Sequence, residues 1–188
     1  GKINNTPKYV VLVYITATGK DDAKGIGALE HNTSTTGVFM NTMTSDDLIH
    51  TISHEFFHTL TPLNFHSKEI QDFDFNSPKM SEHLWMYEGF TEYFAQLFQV
   101  NQGLVSEEKF LAEMSGKYNN AKTMYPKPVS FKKKKKNILA PEMKVLYPNV
   151  YEKGALMAMC LDLIIREKSN GKRGVLSMMG ELSKIYGP

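Results

Sequence analysis

Residues 9–17, YVVLVYITA, form an unbroken run dominated by β-branched and aromatic side chains, the pattern of a buried strand. A polar turn containing Gly19 follows over 18–24. Residues 25–31 predict a short strand, and 36–41 another after a Thr33-Ser34-Thr35-Thr36 loop. Beyond this point the spacing becomes helical. In Thr44-Ser45-Asp46-Asp47, Thr44 suits an N-cap, Asp47 completes a capping-box-like arrangement, and the acids complement the helix dipole. That helix is predicted to run to about Leu60 and to be stopped by Pro62. Residues 62–80, rich in Asp, Asn, Ser and Pro, read as a linker. Ser81 caps a second helix, which carries residues 85–100 and ends near Gly103. Ser106 opens a third, to about Lys122. Prolines and lysines make 123–148 a long exposed loop, and helices follow at about 150–168 and 174–186. Strands first and helices afterwards predict a single α+β domain, mainly β over 1–43 and mainly α over 44–188.

Composition alters this picture little. The 188 residues are 41% hydrophobic and 22% charged, ordinary for a globular chain long enough to bury a core. The net charge of +2 depends on the lysine run 132–136, without which acids outnumber bases. That run lacks interleaved aromatics or a supporting motif, so it reads as a solvated loop, and no nucleic-acid partner is expected. The single cysteine, Cys160, excludes an intrachain disulfide; lying in the apolar stretch 155–165, it is expected to be buried and inert. No apolar run is long enough for a transmembrane segment. The opening Gly1-Lys2 reads as a trimmed start from which an export signal can have been removed.

Chemistry concentrates in His54-Glu55-Phe56-Phe57-His58. Residues four apart on a helix share a face, so both imidazoles can reach one ion, and Glu55 can polarise a water on it. A hydrolytic zinc site takes three protein ligands and keeps a fourth position for water. His50 and His58 are separated by about 12 Å of helix rise, too far for one ion, which leaves His50 as a supporting or surface residue. No histidine stands six positions beyond His58, where Asn64 lies. His66 and His83 remain open as ligands. The better candidate is Glu88, in LWMYEGFTEY, where a carboxylate on a second helix completes a His2Glu set. Glu92, one turn later, can accept the spare ring N–H of a ligating histidine. Such a site predicts one Zn2+ per chain, Glu55 as general base and a tyrosine hydroxyl, of which the chain has several, as donor to the oxyanion.

Four blocks, in this order and separation, resemble the glycyl aminopeptidase family of metallopeptidases, within the gluzincin group that includes thermolysin. They are Gly27-Ala28-Leu29-Glu30-His31, His54 to His58, LWMYEGFTEY, and Tyr151-Glu152-Lys153-Gly154 with the helix after it. The resemblance spans roughly residues 25–187. It implies a thermolysin-like catalytic domain and a zinc-dependent peptidase acting on peptide substrates, most simply an aminopeptidase releasing N-terminal residues. An endopeptidase on the same site and a non-catalytic, zinc-stabilised peptide-binding module are the alternatives. It also implies that Tyr151, with Tyr147 as fallback, hydrogen-bonds the tetrahedral intermediate. By the same resemblance, Gly27 and Ala28 lie on an edge strand that aligns substrate backbone, and Glu30 holds its free α-amino group. Family members carry further domains in the full-length chain, and bacterial ones are often exported to the periplasm or cell envelope. One departure stands out: after His58 the chain reads TLTPLNFH instead of the family's tryptophan and basic stretch, which bears on substrate preference rather than on metal chemistry.

Overall fold

In a computed structural model the described residues are 7–17, 19–74, 76–77, 81–124 and 147–187. The loop 123–148, with its lysine run, falls almost entirely outside them. Three strands come first: β1 (Val10–Thr16), β2 (Gly27–His31) and β3 (Ser34–Met40). Their order is β1-β3-β2, with β1 parallel and β2 antiparallel to β3. The Thr33–Thr36 loop expected from sequence is largely strand: His31 pairs with Ser34, so only Asn32 and Thr33 turn the chain. β-Branched threonines suit the pleated surface better than a loop, and Thr35 Oγ1 donates across to the Leu29 carbonyl at 2.9 Å.

β1 corrects a second expectation. It is an edge strand, and its side chains from Val10 to Ile15 are 38–56% exposed. The run is apolar enough to form a strand by propensity, but the helix that covers the sheet, α1 (Ser45–Phe57), packs on β2 and β3. Tyr9, just before β1, does reach α1: its ring packs edge-on against Phe56 at 5.1 Å, and its hydroxyl donates to the Glu55 carbonyl at 3.3 Å.

α1 starts as its sequence dictates. Thr44 Oγ1 accepts from the Asp47 N–H, and the Asp47 carboxylate accepts from the Thr44 N–H at 2.9 Å. It ends three residues earlier than expected. The N–H groups of Thr59 and Leu60 bond to carbonyls three residues back, at Phe56 and Phe57, so the last turn tightens before Pro62. His58 caps the helix with φ −61° and ψ −17°, which keeps its ring on the helical face.

A short α2 (Lys68–Gln71) interrupts the expected linker. α3 (Leu84–Asn101) follows, with His83 rather than Ser81 at the N-cap position; Ser81 Oγ instead accepts from the His83 N–H at 3.1 Å. α4 (Glu107–Thr123) is capped by Ser106. α5 (Asn149–Lys168) and α6 (Val175–Tyr186) are joined through Asn170 and Gly171, both at positive φ. α3 is the central helix, packed against α1, α4 and α5. Phe90, Tyr93 and Phe94 of α3, Ala155 and Ala158 of α5, and Val175 and Met179 of α6 form the core. Buried Asp162 ties three helices together, accepting from Tyr93 Oη (2.9 Å), Arg166 Nε (2.7 Å) and the Val175 N–H (2.6 Å). Cys160 is exposed, contrary to expectation. It stands two residues from both Ala158 and Asp162, about 200° around the helix from each buried position.

α3 and α5 meet at Gly89 and Gly154. A Cβ on Gly154 would stand 2.6 Å from the Trp85 carbonyl oxygen and 2.7 Å from Gly89 Cα, both backbone atoms that cannot yield without parting the helices. Gly154→Ala is therefore expected to lower stability by about 1–3 kcal/mol in urea unfolding, although alanine is the better helix former.

Candidate metal centre

α1 presents His54 and Glu55 from its last turn and His58 from its cap, while α3 presents Glu88 and Glu92 one turn apart. The two imidazoles meet edge to face, centroids 4.7 Å apart. Nε2 of His54 lies 3.2 Å, and Nε2 of His58 3.6 Å, from the same Glu88 oxygen. His54, His58 and Glu88 thus bring three ligating atoms within 4.8 Å of one another, all on side chains largely withdrawn from solvent. The other nitrogens face outward to acceptors: His54 Nδ1 is 2.9 Å from Glu92 Oε2 and His58 Nδ1 is 3.0 Å from the Thr61 carbonyl oxygen.

That arrangement tests whether a cation fits. An acceptor opposite each Nδ1 puts the ring proton there, so each neutral ring directs its Nε2 lone pair at a carboxylate oxygen. Three electron-rich atoms converging in a buried site require positive charge among them. In the metal-free protein a proton on His54 supplies it: burial opposes the charged ring, but hydrogen bonds to Glu88 and Glu92 push its pKa up to about 10. For Glu88 burial works upward, and the His54 hydrogen bond and the nearby His58 outweigh it, holding the carboxyl below its ordinary value. A divalent ion replacing that proton would satisfy all three groups at once.

Glu55 is buried, yet its Oε2 has no hydrogen-bond partner among the described residues. Burial pushes its pKa up to about 7, with Glu30 and Glu88 adding to the rise and His54 opposing it. Glu30, on the edge strand β2, brings a carboxylate oxygen within 4.8 Å of ligating atoms of Glu55 and His58. Gly27 and Ala28 lie earlier on that strand, opposite Val38 and Gly37 of β3. Tyr151, in the first turn of α5, lies with its ring 5.6 Å from that of His54 and its hydroxyl within the influence of the Glu88 carboxylate charge. Tyr147 Oη sits 3.2 Å from Tyr151 Oη, so both tyrosines reach the site. Burial and the Glu88 charge raise the Tyr151 pKa, keeping its hydroxyl protonated and able to donate.

His50 stays outside the ligand group, with Nε2 3.1 Å from Glu92 Oε1. His66 bonds the Pro62 carbonyl and Gln71, and His83 begins α3; neither joins a candidate metal group among the described residues. Three contributors have no signature in the linear pattern. Thr61 acts through its backbone carbonyl, Thr91 Oγ1 lies 3.4 Å from His58 Nδ1, and Lys117 reaches Glu92 from α4. Only Gln96, four residues after Glu92 and bonded to it at 3.2 Å, was open to a helical-spacing argument.

In fold, the chain is similar to an aminopeptidase N family protein from Idiomarina loihiensis, with a TM-score of 0.74 and 23% identity. The match covers 95% of this chain and 32% of that one, so the chain spans about a third of its length. No curated protein matches the chain. Residues 47–157 match the family model of the M61 glycyl aminopeptidases. The chain belongs to that peptidase family.

The Glu55 environment has a measurable consequence. In the unfolded chain the group titrates near 4.5 and in the metal-free fold near 7, so between these values the native state binds more protons. The stability it contributes is full below about pH 4.5 and is lost as the pH rises through about 7. Metal-free Glu55→Gln should gain on the unsubstituted protein between pH 5 and pH 8, by up to about 3 kcal/mol in urea unfolding at the two pH values.

Proposed function

We propose that this chain is the thermolysin-like catalytic core of a zinc-dependent aminopeptidase, releasing residues from the N-termini of peptides. The observation that carries the proposal is the meeting of the His54–His58–Glu88 donor set with the unpartnered, buried oxygen of Glu55. Two imidazoles and a carboxylate are a donor set suited to catalytic zinc. When bound, zinc supplies a Lewis acid and lowers the pKa of a coordinated water.

The protein's own groups divide the remaining work. Glu55, buried with an unpartnered carboxylate oxygen among the described residues, takes the proton of the attacking water and passes it to the departing amine. Tyr151 keeps its proton and donates a hydrogen bond to the carbonyl oxygen as that atom gains negative charge. β2 has a free edge among the described residues, against which an extended peptide can add a strand past Gly27 and Ala28. Glu30 then meets the substrate's α-ammonium group. An amine nitrogen and its own carbonyl carbon are only about 2.5 Å apart, given standard bond lengths and angles. The closeness of Glu30 to Glu55 and His58 therefore suits an anchor for the first residue of a peptide and for no longer extension. Because the similar solved structure is about three times as long, the physiological substrate is a property of the whole protein rather than of this core.

Glu55→Gln is expected to retain zinc while kcat/KM falls by about 10²–10⁴, as measured on aminoacyl substrates. Activity surviving in that variant would remove Glu55 as the base. Glu30→Gln should lower kcat/KM for free-amine peptides by about 10- to 100-fold, the worth of a charge-assisted hydrogen bond. N-terminally blocked peptides should be poor substrates of both forms, and equal turnover of blocked and free peptides would make the enzyme an endopeptidase.

A further inference from the structure

Glu92 is gripped unevenly. Its Oε1 accepts from Lys117 Nζ of α4 (2.6 Å) and Gln96 Nε2 of α3 (3.2 Å), and His50 Nε2 of α1 stands 3.1 Å from the same oxygen. Its Oε2 is left to a single partner, His54 Nδ1, at 2.9 Å. Two donors and a nearby imidazole nitrogen on one oxygen hold the carboxylate plane, and its orientation aims the other oxygen at the His54 ring. Of the three, Lys117 makes the shortest contact, and its side chain is only 11% exposed. A buried carboxylate depends on such a partner for its geometry as well as for its charge.

We propose that Lys117 is a positioning residue for the metal centre, acting from α4 through Glu92 to set the orientation of the His54 ring. The assignment rests on the reading of His54 as a zinc ligand. A second ion pair on the same helix provides an internal comparison. Lys109 bonds Asp46 of α1 at 2.6 Å, but both side chains are well exposed and the pair has no path to an imidazole.

The test is the zinc dissociation constant, measured by chelator competition on the whole chain. Lys117→Met should weaken zinc binding by about 10- to 100-fold, the usual effect of losing an outer partner of a ligand. Lys117→Arg should restore most of it, and Lys109→Met should leave it unchanged. In a Glu92→Gln background, Lys117→Met should cost nothing further, an outcome that simple loss of packing would not produce. Should Lys117→Met fail to fold, Lys117→Gln carries the same comparison. Unchanged zinc affinity in folded Lys117→Met or Lys117→Gln, or an equal loss in Lys109→Met, would overturn the positioning role alone. An unsubstituted protein that binds no zinc would overturn the metal reading with it.

Discussion

The close approach of α3 and α5 at Gly89 and Gly154 is the constraint on which the rest of the structure depends. Each glycine leaves no room for a Cβ against the other helix's backbone. Glu88 directly precedes Gly89, and Tyr151 lies three residues before Gly154. One contact of backbone on backbone therefore brings the carboxylate and the phenol to the same site. The same contact gathers Ala155 and Ala158 into one core cluster with Phe90 and Phe94, so core packing and site geometry share one origin. Two small residues matter here because of what they let approach.

Electrostatics then shape what the packing has assembled. Several carboxylates and two imidazoles in a site of low dielectric would repel one another if left unbalanced. Glu92 is held well below the ordinary carboxylate range, because His50, His54 and Lys117 together outweigh its burial. Glu55 faces the opposite balance and is pushed upward, since burial and neighbouring acids outweigh the His54 charge. Two glutamates from adjacent helices thus acquire opposite characters, one a fixed anion and the other a group able to exchange a proton near neutrality.

Much of this was legible in the chain because it depends on local periodicity. The four-residue spacing of His54 and His58, the one-turn spacing of Glu88 and Glu92, and the Thr44–Asp47 cap are all properties of a single helix. The α+β order of elements was equally visible. The sequence misled where burial depends on what another element covers. β1 is as apolar as an interior strand, yet its side chains are exposed, because α1 covers β2 and β3 instead. Cys160 sits in an apolar stretch but on the outer face of α5. The end of α1 was misjudged because the switch to three-residue hydrogen bonds depends on how the following turn folds back under Pro62.

By itself, then, the sequence determined which residues share a helical face, and with that the chemical kind of site they could form. Tertiary structure alone decided that Glu92, already suggested by its spacing, stands behind His54 with Lys117 bonded to it, and that the Thr61 carbonyl stands behind His58. It also decided that Glu30 comes within reach of Glu55 and that Tyr151 reaches Glu88. The physical reason is the range of the forces involved. Helical spacing is written into a few consecutive residues, whereas a hydrogen bond between α1, α3, α4 and α5 exists only once the helices have packed.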